Sequence, residues 1–145
     1  MYDPRLVQPM RDEVTQLGVT ELRTAEAVDA ALTQKGTTLV FINSVCGCAA
    51  GSARPGLAAA TKYPVQPDRI VTAFAGNDVE AVKRVREYFT GFAPSSPCFG
   101  MLRDGELIWM LERWQIEGRG ARDIAVSLAS AFDQFCTAPE SQPAA

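Results

Sequence analysis

The chain has 145 residues, of which 47% are apolar and 21% charged, and 14 Lys and Arg against 17 Asp and Glu give a net charge of −3. That is the length of one domain with an ordinary globular composition, enough to bury a core without disulfide or metal staples. It contains no histidine, so Ser-His-Asp and Cys-His catalysis, His-ligated zinc and imidazole general-base chemistry are excluded from this chain alone.

Leu6, Val7, Met10, Val14 and Leu17 stand at helical spacing, with Gly18 as a stop. A second helix is expected from Thr24 to Gln34, with Ala25, Val28, Ala31 and Leu32 on one face and Gly36 closing it. Thr37 to Asn43 is rich in β-formers and reads as a short buried strand. Ala49 to Thr61 reads as a helix, with Pro55 as a kink or a first-turn residue. Ile70 to Phe74 is a second strand. Asn77 is expected to cap the next helix, with Glu80 at its third position and Val79, Val82, Val85 and Phe89 as its apolar stripe. Pro97 to Leu102 and Leu107 to Leu111 are the third and fourth strands, joined by the Asp104-Gly105 turn. A last helix runs from about Gly120 to Phe135, burying Ile124, Leu128, Ala131, Phe132 and Phe135. Residues 1–136 read as a single domain and Thr137 to Ala145 as a flexible tail.

Without the leading helices the order is β-α-β-α-β-β-α, the order of the thioredoxin-like fold. The expected architecture is α/β: a four-stranded mixed sheet flanked by helices, with extra N-terminal helices. There is no basic stripe of the kind that binds nucleic acid, no apolar run near the ~18 residues that cross a bilayer, and no leader-like start. A cytoplasmic location with reduced thiols is expected, and neither nucleic acid nor membrane as a partner.

Four cysteines are present: Cys46, Cys48, Cys98 and Cys136. Cys46-Gly47-Cys48 sits where the first strand gives way to a helix. Unpaired N–H groups and about half a positive charge at a helix N-terminus favour a thiolate, which is the nucleophile. Gly47 puts no side chain in the way of an incoming disulfide and tolerates the tight backbone of a closed ring. Two cysteines one residue apart close only a small, strained ring, so the expected use is transient exchange, with Cys46 attacking and Cys48 resolving. The alternatives are two small buried thiols, or a metal or iron-sulfur module completed by Cys98 and Cys136. The second is a poor match, since zinc pairs usually leave two to four residues between cysteines.

Asn43-Ser44-Val45-Cys46-Gly47-Cys48-Ala49-Ala50-Gly51, followed by Ala53-Arg54-Pro55, resembles the bacilliredoxin family. The likeness continues through Phe74-Ala75-Gly76-Asn77, Ser95-Ser96-Pro97, Asp104-Gly105, Glu112-Arg113, Ile116-Glu117-Gly118-Arg119 and Ala131-Phe132-Asp133, nearly the whole chain. It departs at Trp114, where the family pattern has histidine. The resemblance implies a thioredoxin-like fold and a thiol-disulfide oxidoreductase that removes bacillithiol from oxidised protein cysteines. Weak disulfide isomerase or reductase activity is also implied. Cys46 would take the bacillithiol and Cys48 resolve the adduct. No bound cofactor is expected, and no metal. Bacillithiol or a similar small thiol is the expected co-substrate. The expected partners are S-thiolated cytosolic proteins and a thiol-disulfide reductase.

The resemblance also implies a cis Ser96–Pro97 bond beside the redox cysteine, where the backbone pairs with substrate. The plain alternative is a proline that opens a strand. Arg54 is a candidate for steadying a thiolate or binding carboxylates of the small thiol, against a solvated surface arginine. Arg113 has the same two readings. Cys98 is expected to be a buried structural thiol, Cys136 partly exposed and uninvolved, and Trp109 and Trp114 packing residues.

Overall fold

A computed structural model describes residues 1–136; the expected tail at 137–145 lies outside the described residues. Helix α1 spans Pro4–Thr15. The Asp3 carboxylate caps it by accepting the Arg5 N–H, and Pro4 opens it where no N–H donor is needed. Its inner face is Val7, Arg11 and Val14, at spacings of four and three, whereas Leu6 faces solvent. Gly18, at a φ of +90°, turns the chain out of the helix. A two-residue strand β1, Thr20–Glu21, follows. Helix α2, Ala25–Leu32, is capped by the Thr24 hydroxyl accepting the Ala27 N–H.

Strand β2 is Thr37–Asn43, the expected bounds, and every residue in it is buried. After the cysteine turn, Ala49–Ala53 form a π-helical turn that runs straight into α3, Arg54–Ala60. Pro55 accounts for the widened turn. It has no N–H to give the carbonyl four residues back, and its ring would crowd that carbonyl in a regular helix. Then come β3 (Arg69–Phe74), α4 (Val79–Tyr88), β4 (Cys98–Arg103), β5 (Glu106–Leu111), the short α5 (Arg113–Ile116) and α6 (Ala121–Phe135).

The sheet has five strands in the order β1-β3-β2-β4-β5, which corrects the expected four. The extra strand is β1, which pairs parallel to β3 through Thr20–Val71 and Glu21–Thr72. Two residues are too short to carry an alternation, so no sequence pattern marks them. β2 runs parallel to β3 and antiparallel to β4, and β4 is antiparallel to β5. Alternation along β2 divides the core. Leu39 and Phe41 pack with Val14, Leu57, Phe99, Ile124 and Phe132 on one face, and Val40 and Ile42 pack with Val28, Leu32, Val85 and Phe89 on the other. Phe41 and Phe99 stack at 4.6 Å between ring centroids. Gly56 lets α3 approach α6: a Cβ there would lie 2.7 Å from the Ile124 Cβ.

Two expectations around α4 are corrected. Asp78, not Asn77, occupies the capping position, and the Asn77 side chain instead pairs with the Tyr2 backbone. The Glu80 carboxylate accepts the Ala25 N–H across to α2. Val79 is exposed, so the buried stripe starts at Ala81 and Val82. Asp78 is held by the Phe74 N–H and by a two-pronged bond from the buried Arg11, at 2.7 and 2.9 Å, and Arg11 also reaches Glu21. This ion cluster fastens α1 and β1 to the β3–α4 junction. A charge pair this deep persists because each member satisfies the other's hydrogen bonds.

Candidate active site

Cys46 lies three residues past the end of β2, and its carbonyl accepts the first N–H groups of the following helical run, from Ala49 at 3.1 Å and Ala50 at 3.2 Å. The strand-to-helix placement read from the sequence is therefore the observed one. Cys46 and Cys48 are free thiols, both half-buried, with their sulfurs 3.0 Å apart. Gly47 between them is exposed, and a Cβ there would meet nothing within 4 Å. Its φ is not in the left-handed region. The resting backbone therefore does not demand glycine here; what Gly47 supplies is open access to both sulfurs.

Burial alone would raise the Cys46 pKa. It is outweighed by hydrogen bonding from Cys48 and Ser44, the Ala49 N–H and the positive charge of Arg113, which together hold Cys46 below the ordinary thiol value. Cys48 moves the other way: burial raises it first, and donating to Cys46 raises it further. Of the two, Cys46 is the one poised to ionise, and Cys48 is the proton-bearing partner. The pair titrates as a unit, so each assignment describes the pair with one proton removed.

The turn holding Cys46 rests on a buried network. The Ser44 hydroxyl accepts the Cys46 N–H at 3.2 Å, and the Ser44 N–H donates to Asn43 Oδ1 at 2.8 Å. Arg54 Nη1 donates to Asn43 Oδ1 at 3.1 Å and to the Ser44 carbonyl at 2.8 Å, while its Nε donates to Glu13 Oε1 at 3.0 Å. Asn43 Nδ2 reaches back to the Met10 carbonyl of α1. Arg54 is thus only 3% exposed and faces inward. Arg54 is therefore not a solvated arginine, and Glu13, Asn43 and Ser44 close it off from a small-thiol carboxylate; what it can steady is the turn that carries Cys46. It directly follows the widened π segment, which rotates its side chain beneath the turn instead of into solvent.

Ser96–Pro97 is a cis peptide bond, as the resemblance implied. Pro97 is buried and Ser96 half-buried, at the start of β4. Cys98 follows and pairs with Ile42 in the sheet, which places the Ser96–Pro97 loop at the end of the sheet that carries Cys46. Arg113 Nη1 donates to the Ser96 carbonyl at 2.9 Å, and Arg86 Nη1 to the Ser95 carbonyl at 3.1 Å. The structure therefore brings together Cys46, Gly47, Cys48, Ser96, Pro97 and Arg113, with Arg54 below them. Sequence reasoning left Ser44, Asn43 and Glu13 without individual roles. Their signal is long-range, since Glu13 lies 41 residues from Arg54.

Cys98 is 1% exposed, and burial first of all pushes its thiol up to about 11. Cys136 is half-buried, raised by burial, with its sulfur 3.8 Å from Met101 Sδ. Among the described residues no three Cys, Asp or Glu side chains converge as a metal-binding group, so the metal reading of the pair gains no further donors there. Trp109 packs on the core edge as expected. Trp114 does not pack: it is 71% exposed, with its indole N–H on Glu112.

The family model described as disulphide isomerase matches residues 2–136. A bacilliredoxin of Shouchella clausii (strain KSM-K16) is 53% identical over 131 residues, covering 90% of this chain and 92% of its own. Bacilliredoxins of Koribacter versatilis (strain Ellin345) and Staphylococcus aureus (strain NCTC 8325 / PS 47) are each 50% identical, over 95% and 94% of this chain and 96% and 94% of theirs. Among solved structures, oxidised mitochondrial thioredoxin 3 from Saccharomyces cerevisiae superposes with a TM-score of 0.57 at 18% identity, over 84% of this chain and 98% of that one. Thioredoxin from Trypanosoma brucei brucei gives 0.56 at 19%, over 80% and 89%. At those identities the likeness is one of fold.

Proposed function

This chain belongs to the bacilliredoxin family and is a thiol-disulfide oxidoreductase, and from that premise we propose that it removes bacillithiol, or a similar low-molecular-weight thiol, from S-thiolated proteins of the cytoplasm. The observation that carries this reading is the opposite behaviour of the two sulfurs at 3.0 Å: Cys46 is held below the ordinary thiol value and Cys48 above it. One is built to attack and the other to wait with its proton.

In the first step the Cys46 thiolate attacks the small-thiol sulfur of the mixed disulfide. The old S–S bond breaks, the substrate cysteine leaves as a thiolate and takes a proton from solvent, and the small thiol is now disulfide-bonded to Cys46. In the second step Cys48 gives up its proton and attacks Cys46 Sγ. The small thiol leaves as a thiolate, and the pair has lost two electrons to form the Cys46–Cys48 disulfide. A thiol-disulfide reductase or excess small thiol returns the two electrons. Hydrogen bonds to Cys46 lower the thiolate's energy at the start, and backbone N–H groups at the turn need no reorganisation during the exchange. Gly47 leaves the path to the sulfur open, and Ser96 and Pro97 form the opposite wall that the substrate chain meets.

The reading is tested by incubating reduced protein with one carrier protein bearing either bacillithiol or glutathione on its cysteine. Free carrier thiol should appear at least about tenfold faster from the bacillithiol form, a difference of roughly 1.4 kcal/mol in barrier. Equal rates, or clearance of the glutathione form alone, would contradict bacillithiol as the preferred substrate.

A further inference from the structure

Arg113 is the cation the fold leaves beside the cysteine pair. Its backbone N–H meets Ser95 Oγ at 3.4 Å, its Nη1 holds the Ser96 carbonyl, and Glu117 takes Nε alone, at 2.6 Å. Nη2 has no partner among the described residues, and the side chain is 41% exposed. The guanidinium is thus pinned to the loop that faces Cys46 while one N–H pair stays open to solvent. Its charge acts on both sulfurs. The neighbouring acid Glu112 is engaged by the Trp114 indole N–H at 3.0 Å. Arg54, the other arginine of the region, is closed off beneath the turn by Glu13, Asn43 and Ser44.

We propose that Arg113 is the specificity-determining residue of the site, receiving at Nη2 a carboxylate of the incoming small thiol while that thiol's sulfur meets Cys46. The inference rests on the thiol-removal reading above and names the feature that reading leaves open, the chemical class of small thiol. A planar guanidinium fixed at two of its nitrogens presents the third in a defined direction, and a charge-assisted bond to a carboxylate is about twice as strong as a neutral one. A neutral thiol leaves that donor in water and gains nothing from it.

The test uses the full chain carrying Cys48→Ala, so that one attack is read per molecule. Three mixed disulfides of the same carrier protein are compared, bearing bacillithiol, glutathione or neutral 2-mercaptoethanol. Arg113→Gln should slow attack on the best carboxylated substrate by about tenfold, roughly one charge-assisted hydrogen bond. Attack on the 2-mercaptoethanol form should slow only about twofold, through the weaker positive field at Cys46. Arg113→Lys should recover part of the carboxylate preference. If bacillithiol is slow in the parent chain but glutathione is fast and depends on Arg113, the inference stands and the bacillithiol assignment falls. Equal slowing of all three substrates, or no change in any, overturns the inference. The neutral substrate also reports whether the variant is folded.

Discussion

Cys46 and Cys98 stand at the same end of the sheet, one just past β2 and the other at the start of β4, beside Ile42. Cys46 is half-buried and Cys98 fully buried, and burial by itself raises both thiols. Cys46 nevertheless ends below the ordinary thiol value, and Cys98 near 11. The difference lies in what surrounds each sulfur. Cys46 occupies a turn, where Cys48, the Ser44 hydroxyl, the Ala49 N–H and Arg113 converge on it. Cys98 begins a strand paired to β2, where burial outweighs the lowering effect of the Arg86 charge and the Ser95 hydroxyl near its sulfur. A thiol's reactivity here follows from the local backbone that carries it as well as from its depth.

Replacing the reactive member gives the largest effect. Cys46→Ala should reduce exchange to the uncatalysed background, while Cys98→Ala should keep most of it, both measured as thiol release from a mixed disulfide. Cys48→Ala should still allow the first attack, at a somewhat lower rate, but stall the adduct on Cys46, so that turnover becomes first order in added small thiol. It should also move the Cys46 ionisation curve, followed by thiolate absorbance, to higher pH, because a hydrogen-bond donor is lost.

Arg54→Met tests the support beneath the turn. It takes the buried donor from the Ser44 carbonyl and one of the two donors from Asn43 Oδ1, a loss of about 1–3 kcal/mol in denaturant unfolding, with a weaker thiolate at Cys46. Ser44→Ala removes one bond to the Cys46 region and should slow alkylation of Cys46 at pH 7 by about threefold to tenfold, the worth of a single hydrogen bond. A depressed pKa means more thiolate at neutral pH, so in the parent chain the alkylation rate should level off below the pH at which a free thiol does.

The smallest effect concerns Cys98 and runs opposite in sign. Its raised pKa means the folded state keeps the proton after the unfolded chain has lost it. Its contribution to stability is therefore full below about pH 8.5, the unfolded thiol value, and is lost as pH rises through about 11. Cys98→Ala should flatten the fall of unfolding free energy across that window, whatever it does to stability at neutral pH.

Much of this contrast is legible in the sequence, because it depends on local pattern. The run of β-formers from Thr37 to Asn43 and the Cys-Gly-Cys that follows place the pair at a strand-to-helix turn, and the last helix shows its buried face at a regular spacing. What the sequence does not carry is direction at a distance. Arg54 faces inward because the π turn before Pro55 rotates the helix and because Glu13, 41 residues earlier, waits below it. β1 is too short to show a period and exists because β3 offers it an edge. Arg113 gains its place only when α5 folds onto the Ser96 carbonyl, 17 residues away in the chain. The absent histidine, first an exclusion, is consistent with the site found: hydrogen bonds and one arginine act on Cys46 where an imidazole would otherwise serve.

The central claim is that Cys46 attacks the small-thiol half of a mixed disulfide. The direct measurement is intact and peptide mass spectrometry of the Cys48→Ala chain after one equivalent of a bacillithiol–protein disulfide. One bacillithiol on Cys46 and an equal amount of freed protein thiol are expected. An unmodified Cys46, or the adduct on Cys98 or Cys136, would contradict it.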